Sequence, residues 1–194
     1  MKSELKPELK SELKSKLKSV KLIQPSREYL SGYLEACREF KELGLLLYSF
    51  NDPDEYDIWG PELFSRYENY SKGINLKDGY VPSTTYWMVD TDQGQFIGEG
   101  NIRHILTPSL LRYGGHIGYA IRASLWNKGY GTAQLGLLLN KGAELNISKA
   151  LITCDDENTA SQKVIEKNGG IYQDTIDNNI NGKDIRTRRY WVRC

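Results

Sequence analysis

Between Gly118 and Thr132 the chain places an apolar stretch (Tyr119, Ala120, Ile121), then a turn containing Gly129 and Gly131, then a run with Leu135, Leu138 and Leu139 at helical spacing. A strand that passes through a glycine turn straight into a long helix leaves several backbone N–H groups pointing outward at the helix N-terminus. By geometry and by dipole that is an anion site. Lys128 adds a positive charge there. The two commonest nucleotide fingerprints do not fit. A P-loop needs a Gly-Lys-Ser/Thr ending that is missing here, and a dinucleotide turn needs a third glycine where Gln134 stands.

The rest of the pattern surrounds this unit. Val20 to Ile23 reads as a short strand stopped by Pro25, and Ser26 caps a helix running to about Leu43 before Gly44. A second helix is expected from about Pro61, after an aromatic and acidic loop (Tyr48 to Gly60) with Asp52, Asp54, Glu55 and Asp57. Thr84 to Asp90 and Gln95 to His104 flank a turn and read as a hairpin, followed by a strand over residues 115–122. After the Thr132 to Leu145 helix come a strand over 150–154, a helix from Asn158 to Asn168 closed by Gly169 and Gly170, and a last hairpin around Asn181 and Gly182. The order βα(α)βββαβαββ gives an α+β (mixed α/β) domain over residues 19–194.

Residues 1–18 are a four-residue repeat with Leu5, Leu9, Leu13 and Leu17. On a helix those leucines drift about 40° per repeat and share one broad face. A charged low-complexity tail, exposed as a helix or disordered, is the expectation, and a docking helix is the alternative. The whole chain has a net charge of +1, so nucleic acid is not an expected partner. No stretch reaches the roughly 20 apolar residues of a membrane span. Cys37, Cys154 and Cys194 are too few and too scattered for a disulfide framework, and a cytoplasmic location is expected.

Two segments together resemble the GNAT superfamily of acetyltransferases. Ile121, then Lys128-Gly129-Tyr130-Gly131-Thr132 with Leu135, resembles the superfamily's acetyl-CoA pyrophosphate loop. Asn158-Thr159-Ala160-Ser161 followed by Glu166-Lys167-Asn168-Gly169 resembles its second cofactor helix. The resemblance spans about residues 20–193, and Gly114 to Tyr119 together with Leu151 to Asn158 is similar to a bacterial subgroup of predicted acetyltransferases. It implies a mostly antiparallel twisted sheet of about 6–7 strands, splayed between residues 115–122 and 150–154. It implies acetyl-CoA as cosubstrate and no metal. The cofactor residues it implies are Tyr119, Ile121, Lys128, Gly129, Tyr130, Gly131, Thr132, Asn158 and Ser161.

The implied reaction is direct attack of a primary amine, on a small molecule or a peptide, on the thioester. A homodimer is compatible with the resemblance. His116 and Glu99 are the candidate bases, each with the plainer alternative of a structural or solvated group, and His104 ranks below them. Three positions depart from the family pattern. Trp126 stands in the Gln/Arg place and Ala123 in a proline place. Ile165 stands where many members carry the tyrosine that protonates the leaving thiolate, and isoleucine has no proton to give. A non-catalytic acyl-CoA-binding or sensory module is therefore the alternative. Cys154 is expected to be a buried structural thiol. Tyr113, Tyr119, Trp126 and Tyr130 are expected near the cofactor segment, and the acidic loop on the acceptor side.

Overall fold

A computed structural model describes residues 18–46, 50–180 and 182–194. The N-terminal repeat, the Tyr48 start of the acidic loop and Asn181 of the last turn lie outside the described residues.

Seven strands form two antiparallel sheets. The first is β1 (Val20–Ile23), β2 (Ser83–Asp90), β3 (Gln95–Arg103) and β4 (Ile117–Ile121), in that spatial order. The second holds β5 (Lys149–Asp155), β6 (Ile171–Ile180) and β7 (Lys183–Arg193) in the order β5-β7-β6. No ladder joins β4 to β5. They come together near their starts, where the His116 N–H donates to the Leu151 carbonyl at 2.7 Å. The fold is the α+β arrangement expected from the sequence, and the break falls between the two strands expected to splay.

Helix α1 (Leu30–Glu42) follows a 3-10 turn whose cap is Ser26, as its sequence requires. Tyr33, Ala36, Cys37 and Phe40 recur at helical spacing and are buried against β2 and β3. Tyr33 stacks on Trp87 with ring centroids 4.8 Å apart, and Phe96 closes edge-on at 5.3 Å from Trp87. Such pairs add about 0.5–1.5 kcal/mol each beyond the area they bury. Gly32 permits this approach, since a Cβ there would lie 2.8 Å from the Phe96 Cβ. On the opposite face, α5 (Tyr130–Glu144) sends Leu135, Leu138 and Leu139 into a core with Ile102, Ile117 and Ile152.

Three elements differ from the sequence reading. The acidic loop holds a helical turn at Pro53–Glu55 and the short helix α2 (Tyr56–Trp59), with Asp52 as the cap. Helix α3 (Leu63–Ser71) begins two residues after Pro61. The unexpected α4 (Pro108–Arg112) starts from Thr107, whose side chain accepts from the Leu110 N–H, with proline at the tolerated first position. Strand β4 is shorter than 115–122, because Gly114 and Gly115 have φ of +96° and +59° and Arg122 already enters a 3-10 turn. Strand β6 runs on to Ile180 and so lengthens the last hairpin.

Gly115 marks the point where the two sheets meet. Its φ is left-handed, and a Cβ there would lie 2.4 Å from the Leu151 carbonyl oxygen. Gly94 is also left-handed but has nothing within 4 Å. Gly94→Ala is expected to cost about 1–2 kcal/mol, the left-handed penalty alone. Gly115→Ala should cost clearly more, because backbone is in the way. Urea unfolding of both variants measures the difference, and equal losses would mean that the junction yields.

Candidate functional site

The turn between β4 and α5 is built from left-handed residues. Asn127 has φ +60° and Gly129 has φ +85°. From Asn127 to Thr132 the backbone N–H groups find no protein acceptor among the described residues; the first to do so is that of Ala133, which donates to the Gly129 carbonyl. A run of successive free donors at the start of a fifteen-residue helix is a concave nest for an anion. Lys128 is exposed, and its Nζ donates to the Ser124 carbonyl at 2.9 Å.

Register explains what faces the gap between the sheets. Hydrogen bonds join Arg103 to His116 and Ile97 to Arg122, so the backbone groups of Ile117, Tyr119 and Ile121 point away from β3. On the other side, bonds at Ser148 with Cys194 and at Asp156 with Arg186 leave those of Leu151, Thr153 and Asp155 pointing away from β7. Two strand edges therefore face each other with unmade ladder bonds. The Ile121 carbonyl is already taken by the Trp126 indole N–H at 2.7 Å.

The other residues singled out in the sequence fall into groups. Tyr119 and Ser161 are brought together, their hydroxyls 2.9 Å apart. Burial pushes the Tyr119 phenol up to about 12. Asn158 caps α6 (Thr159–Lys167) by accepting the Ser161 N–H at 2.9 Å. Gly131 has its missing Cβ turned toward Val164 of α6, 3.3 Å away, so the glycine serves the packing of α6 on α5. Ile165 is fully buried among Leu135, Leu138 and Tyr190. In the acidic loop, Asp52 and Asp54 are both paired with Lys41, at 2.8 and 2.5 Å. Burial lifts the Cys154 thiol to about 11, which keeps it protonated at neutral pH.

The two candidate bases are held differently. His116 accepts the Leu151 N–H on Nδ1 at 2.9 Å. That bond and its own N–H bond to Leu151 clasp the two sheets together. The lone pair a base would use is therefore occupied, and burial with the nearby Arg103 charge holds its pKa below the usual value. Glu99 sits mid-strand on β3, opposite Trp87 on one side and Ala120 on the other. Its Oε2 accepts from the Tyr67 hydroxyl at 2.7 Å and the Trp87 indole at 2.9 Å. Its Oε1 has no partner among the described residues. Burial raises its pKa even though those two bonds and Arg66 act to lower it. Tyr67 and Trp87 were not identified from sequence; their ring types read only as core.

The chain matches the family model described as "Acetyltransferase (GNAT) domain" over residues 38–171, more than half its length. It belongs to the GNAT acetyltransferase family. Solved GNAT structures share the fold at low identity. RimL, a ribosomal L7/L12 alpha-N-protein acetyltransferase in complex with coenzyme A, aligns at 16% identity and TM-score 0.66, covering 91% of this chain and 94% of that one. MccE, the microcin C7 self-immunity acetyltransferase in complex with acetyl-CoA and AMP, aligns at 14% and 0.65, covering 91% and 93%. A chimera of the Vibrio cholerae spermidine N-acetyltransferase SpeG aligns at 18% and 0.61, covering 90% and 95%. No curated protein matches the chain. Among the described residues no helix of this GNAT chain is long and apolar enough to cross a membrane, and no cluster of His, Cys, Asp and Glu suits a metal ion.

Glu99 makes a stability prediction that needs no substrate. Its folded-state pKa lies above its unfolded value, so the folded state holds the extra proton between the two. Stability therefore falls as pH rises through that window and stays lower above it. Glu99→Gln can still accept from Tyr67 and Trp87 and carries no charge. Its thermal midpoint should exceed that of the parent at pH 8, with the gap shrinking toward pH 4. A variant less stable at both pH values would show that the carboxylate is not strained.

Proposed function

We propose that this chain is an N-acetyltransferase that moves the acetyl group of acetyl-CoA to a primary amine by direct attack in a ternary complex. The observation that carries this reading is the run of unpaired N–H groups from Asn127 to Thr132, set at the end of a strand whose own ladder edge is free. The donor set fits the cosubstrate. The N–H groups of Lys128, Gly129, Tyr130, Gly131 and Thr132 would hold the pyrophosphate. The edges at Tyr119 and Ile121 would hold the pantetheine arm as an added strand, with only the N–H of Ile121 free to take part. Asn158 and Ser161 shape the floor by capping α6 and fixing the Tyr119 hydroxyl.

Acetyl-CoA supplies an activated thioester carbon, to which the amine nitrogen bonds as the carbon–sulfur bond breaks and CoA leaves. The amine needs to shed a proton first. Glu99 accepts it on Oε1, which has no partner among the described residues, while Tyr67 and Trp87 hold Oε2. Its raised pKa makes it a better base than an ordinary carboxylate. His116 keeps the sheets clasped and carries its proton on Nε2. Loss of the family's tyrosine at Ile165 favours one competing reading, a module that binds acyl-CoA without turning it over.

Two measurements test this. Lys128→Glu puts a carboxylate beside the free N–H groups on an exposed side chain, so the thermal midpoint should not move. CoA affinity by calorimetry should fall about tenfold, some 1.4 kcal/mol, while pantetheine, which lacks the phosphates, is unaffected. Unchanged CoA affinity would remove the turn from the site. Free-thiol release over a panel of amines then separates the enzyme from the silent module.

The kcat/KM profile should rise as Glu99 ionises, above the ordinary carboxylate range near about 4.3. Past that it should climb only with the acceptor's own ionisation, with no basic limb from Tyr119 below pH 10, since that phenol titrates at about 12. A basic limb lost on Tyr119→Phe would contradict this, and an acid limb that survives Glu99→Gln would dismiss Glu99 as the base.

A further inference from the structure

We propose that Arg103 is the receptor for an anionic group on the acceptor, so that the acceptor carries both a primary amine and a carboxylate or phosphate; the idea rests on the acetyltransferase reading above. Alternation along β3 places Glu99, Asn101 and Arg103 on one face. Across the ladder they stand opposite Ala120 and Gly118 of β4 and His116 just before it.

The guanidinium of Arg103 is half satisfied. Its Nη1 donates to the carbonyls of Gly114 at 2.8 Å and Gly115 at 3.1 Å. Its Nε and Nη2 have no acceptor among the described residues, and no carboxylate there lies within ion-pairing distance. Other largely buried arginines are treated differently. Arg122, with a side chain 11% exposed, is paired with Glu35 and Glu39, and Arg189, at 17%, is paired with Asp174. An arginine charge withdrawn from water without a counter-charge is costly, and a guanidinium cannot escape by losing its proton. Nε–H and Nη2–H point the same way as a fork, the geometry that receives a carboxylate or phosphate with two parallel bonds.

The side of the guanidinium that faces Gly118 is open. A Cβ added at Gly118 would meet only Nη1 and Nη2 of Arg103, both at 3.9 Å, and nothing else within 4 Å. The exposed Tyr80 and Tyr113 stand nearby. At about 3.3 Å per residue, four residues separate Glu99 and Arg103 by roughly 13 Å along the strand. An acceptor spanning the two would offer its amine to Glu99 and its anion to Arg103, several bonds apart. Asn101, tied to Thr85 at 3.0 Å, lies between them.

The competing account is that Arg103 only clamps the Gly114–Gly115 turn. Three acceptors of equal chain length separate the two: hexylamine, 6-aminohexanoate and 6-aminohexyl phosphate. The full chain should acetylate one or both anionic amines with kcat/KM at least about tenfold above hexylamine, roughly 1.4 kcal/mol. The anion with the larger ratio identifies the natural group. In Arg103→Gln that ratio should collapse toward one.

Gly118→Asp is a second variant that leaves the clamp in place. It sets a carboxylate beside the guanidinium and should fill the receptor from within, abolishing both the preference and the calorimetric binding of 6-aminohexanoate. Equal use of all three amines by the parent chain, or a preference that survives in Gly118→Asp, overturns the proposal and leaves the enzyme reading standing. Thiol release with none of a broad amine panel, and no binding of either anionic amine, overturns both.

Discussion

The whole arrangement depends on one junction, where His116 makes two hydrogen bonds to Leu151. Its N–H donates to the Leu151 carbonyl and its ring Nδ1 accepts the Leu151 N–H. Together these imitate one rung of a ladder using a side chain for half of it. Gly115 makes the approach feasible, since any side chain would strike the Leu151 carbonyl. Past that rung the strands part, and each keeps an edge with bonds unmade. Unpaired edges are normally a hazard that proteins cover. Here they lie between two sheets and beside the free donors that open α5, which is how a packed fold keeps a slot for an extended ligand without an open surface strand.

The same junction sets the electrostatics of the site. Arg103 reaches the Gly114 and Gly115 carbonyls just before it, and its charge presses on His116. A histidine held this way stays neutral and keeps its tautomer, which suits a clasp and not a proton acceptor. Glu99, four residues along β3, is in the opposite condition. Its carboxylate is half-buried with a raised pKa, one oxygen fixed by Tyr67 and Trp87 and the other without a partner among the described residues. Packing of α1 and α3 against β2 creates that environment, so the aromatic core around Tyr33 and Trp87 also supplies the groups that orient Glu99.

Most of the scaffold was legible in the sequence, because its signals are local. Ser26, Gly44, the 91–94 turn and Gly169 announce their caps and turns through backbone chemistry that does not depend on the rest of the chain. The Thr107-Pro108 start of α4 is the same kind of signal, although only one turn of helix follows it. What could not be read was anything set by register. Whether His116 faces a substrate or a neighbouring strand depends on which of its nitrogens meets Leu151, thirty-five positions away. The acidic loop is expected on the acceptor side, and nothing local in it shows that Lys41, from α1, pairs with Asp52 and Asp54. Gly131 fits a close-approach motif in sequence, yet its bare face meets Val164.

Ile165, which the resemblance sets in the tyrosine position, serves the core of this fold. A phenol there would need its hydroxyl near the gap, but the isoleucine is fully buried with Leu135, Leu138 and Tyr190, and Gly170 packs against it so closely that a Cβ would lie 2.5 Å from its Cγ2. The position has become part of the core that fastens α6 to α5 and β5. The same helix nevertheless presents a hydroxyl one turn earlier, where Ser161 meets the Tyr119 phenol from β4. That pair bridges the two sides of the gap near its wider end. Because burial keeps the Tyr119 proton in place to about 12, the phenol remains a hydrogen-bond donor across the whole range in which an amine loses its own proton. A donor that never ionises in that range can orient a sulfur or a carbonyl, but it imposes no pH dependence of its own. On the reading proposed above, the pH dependence would then belong to the amine and to the carboxylate of Glu99, on the opposite face of the sheet.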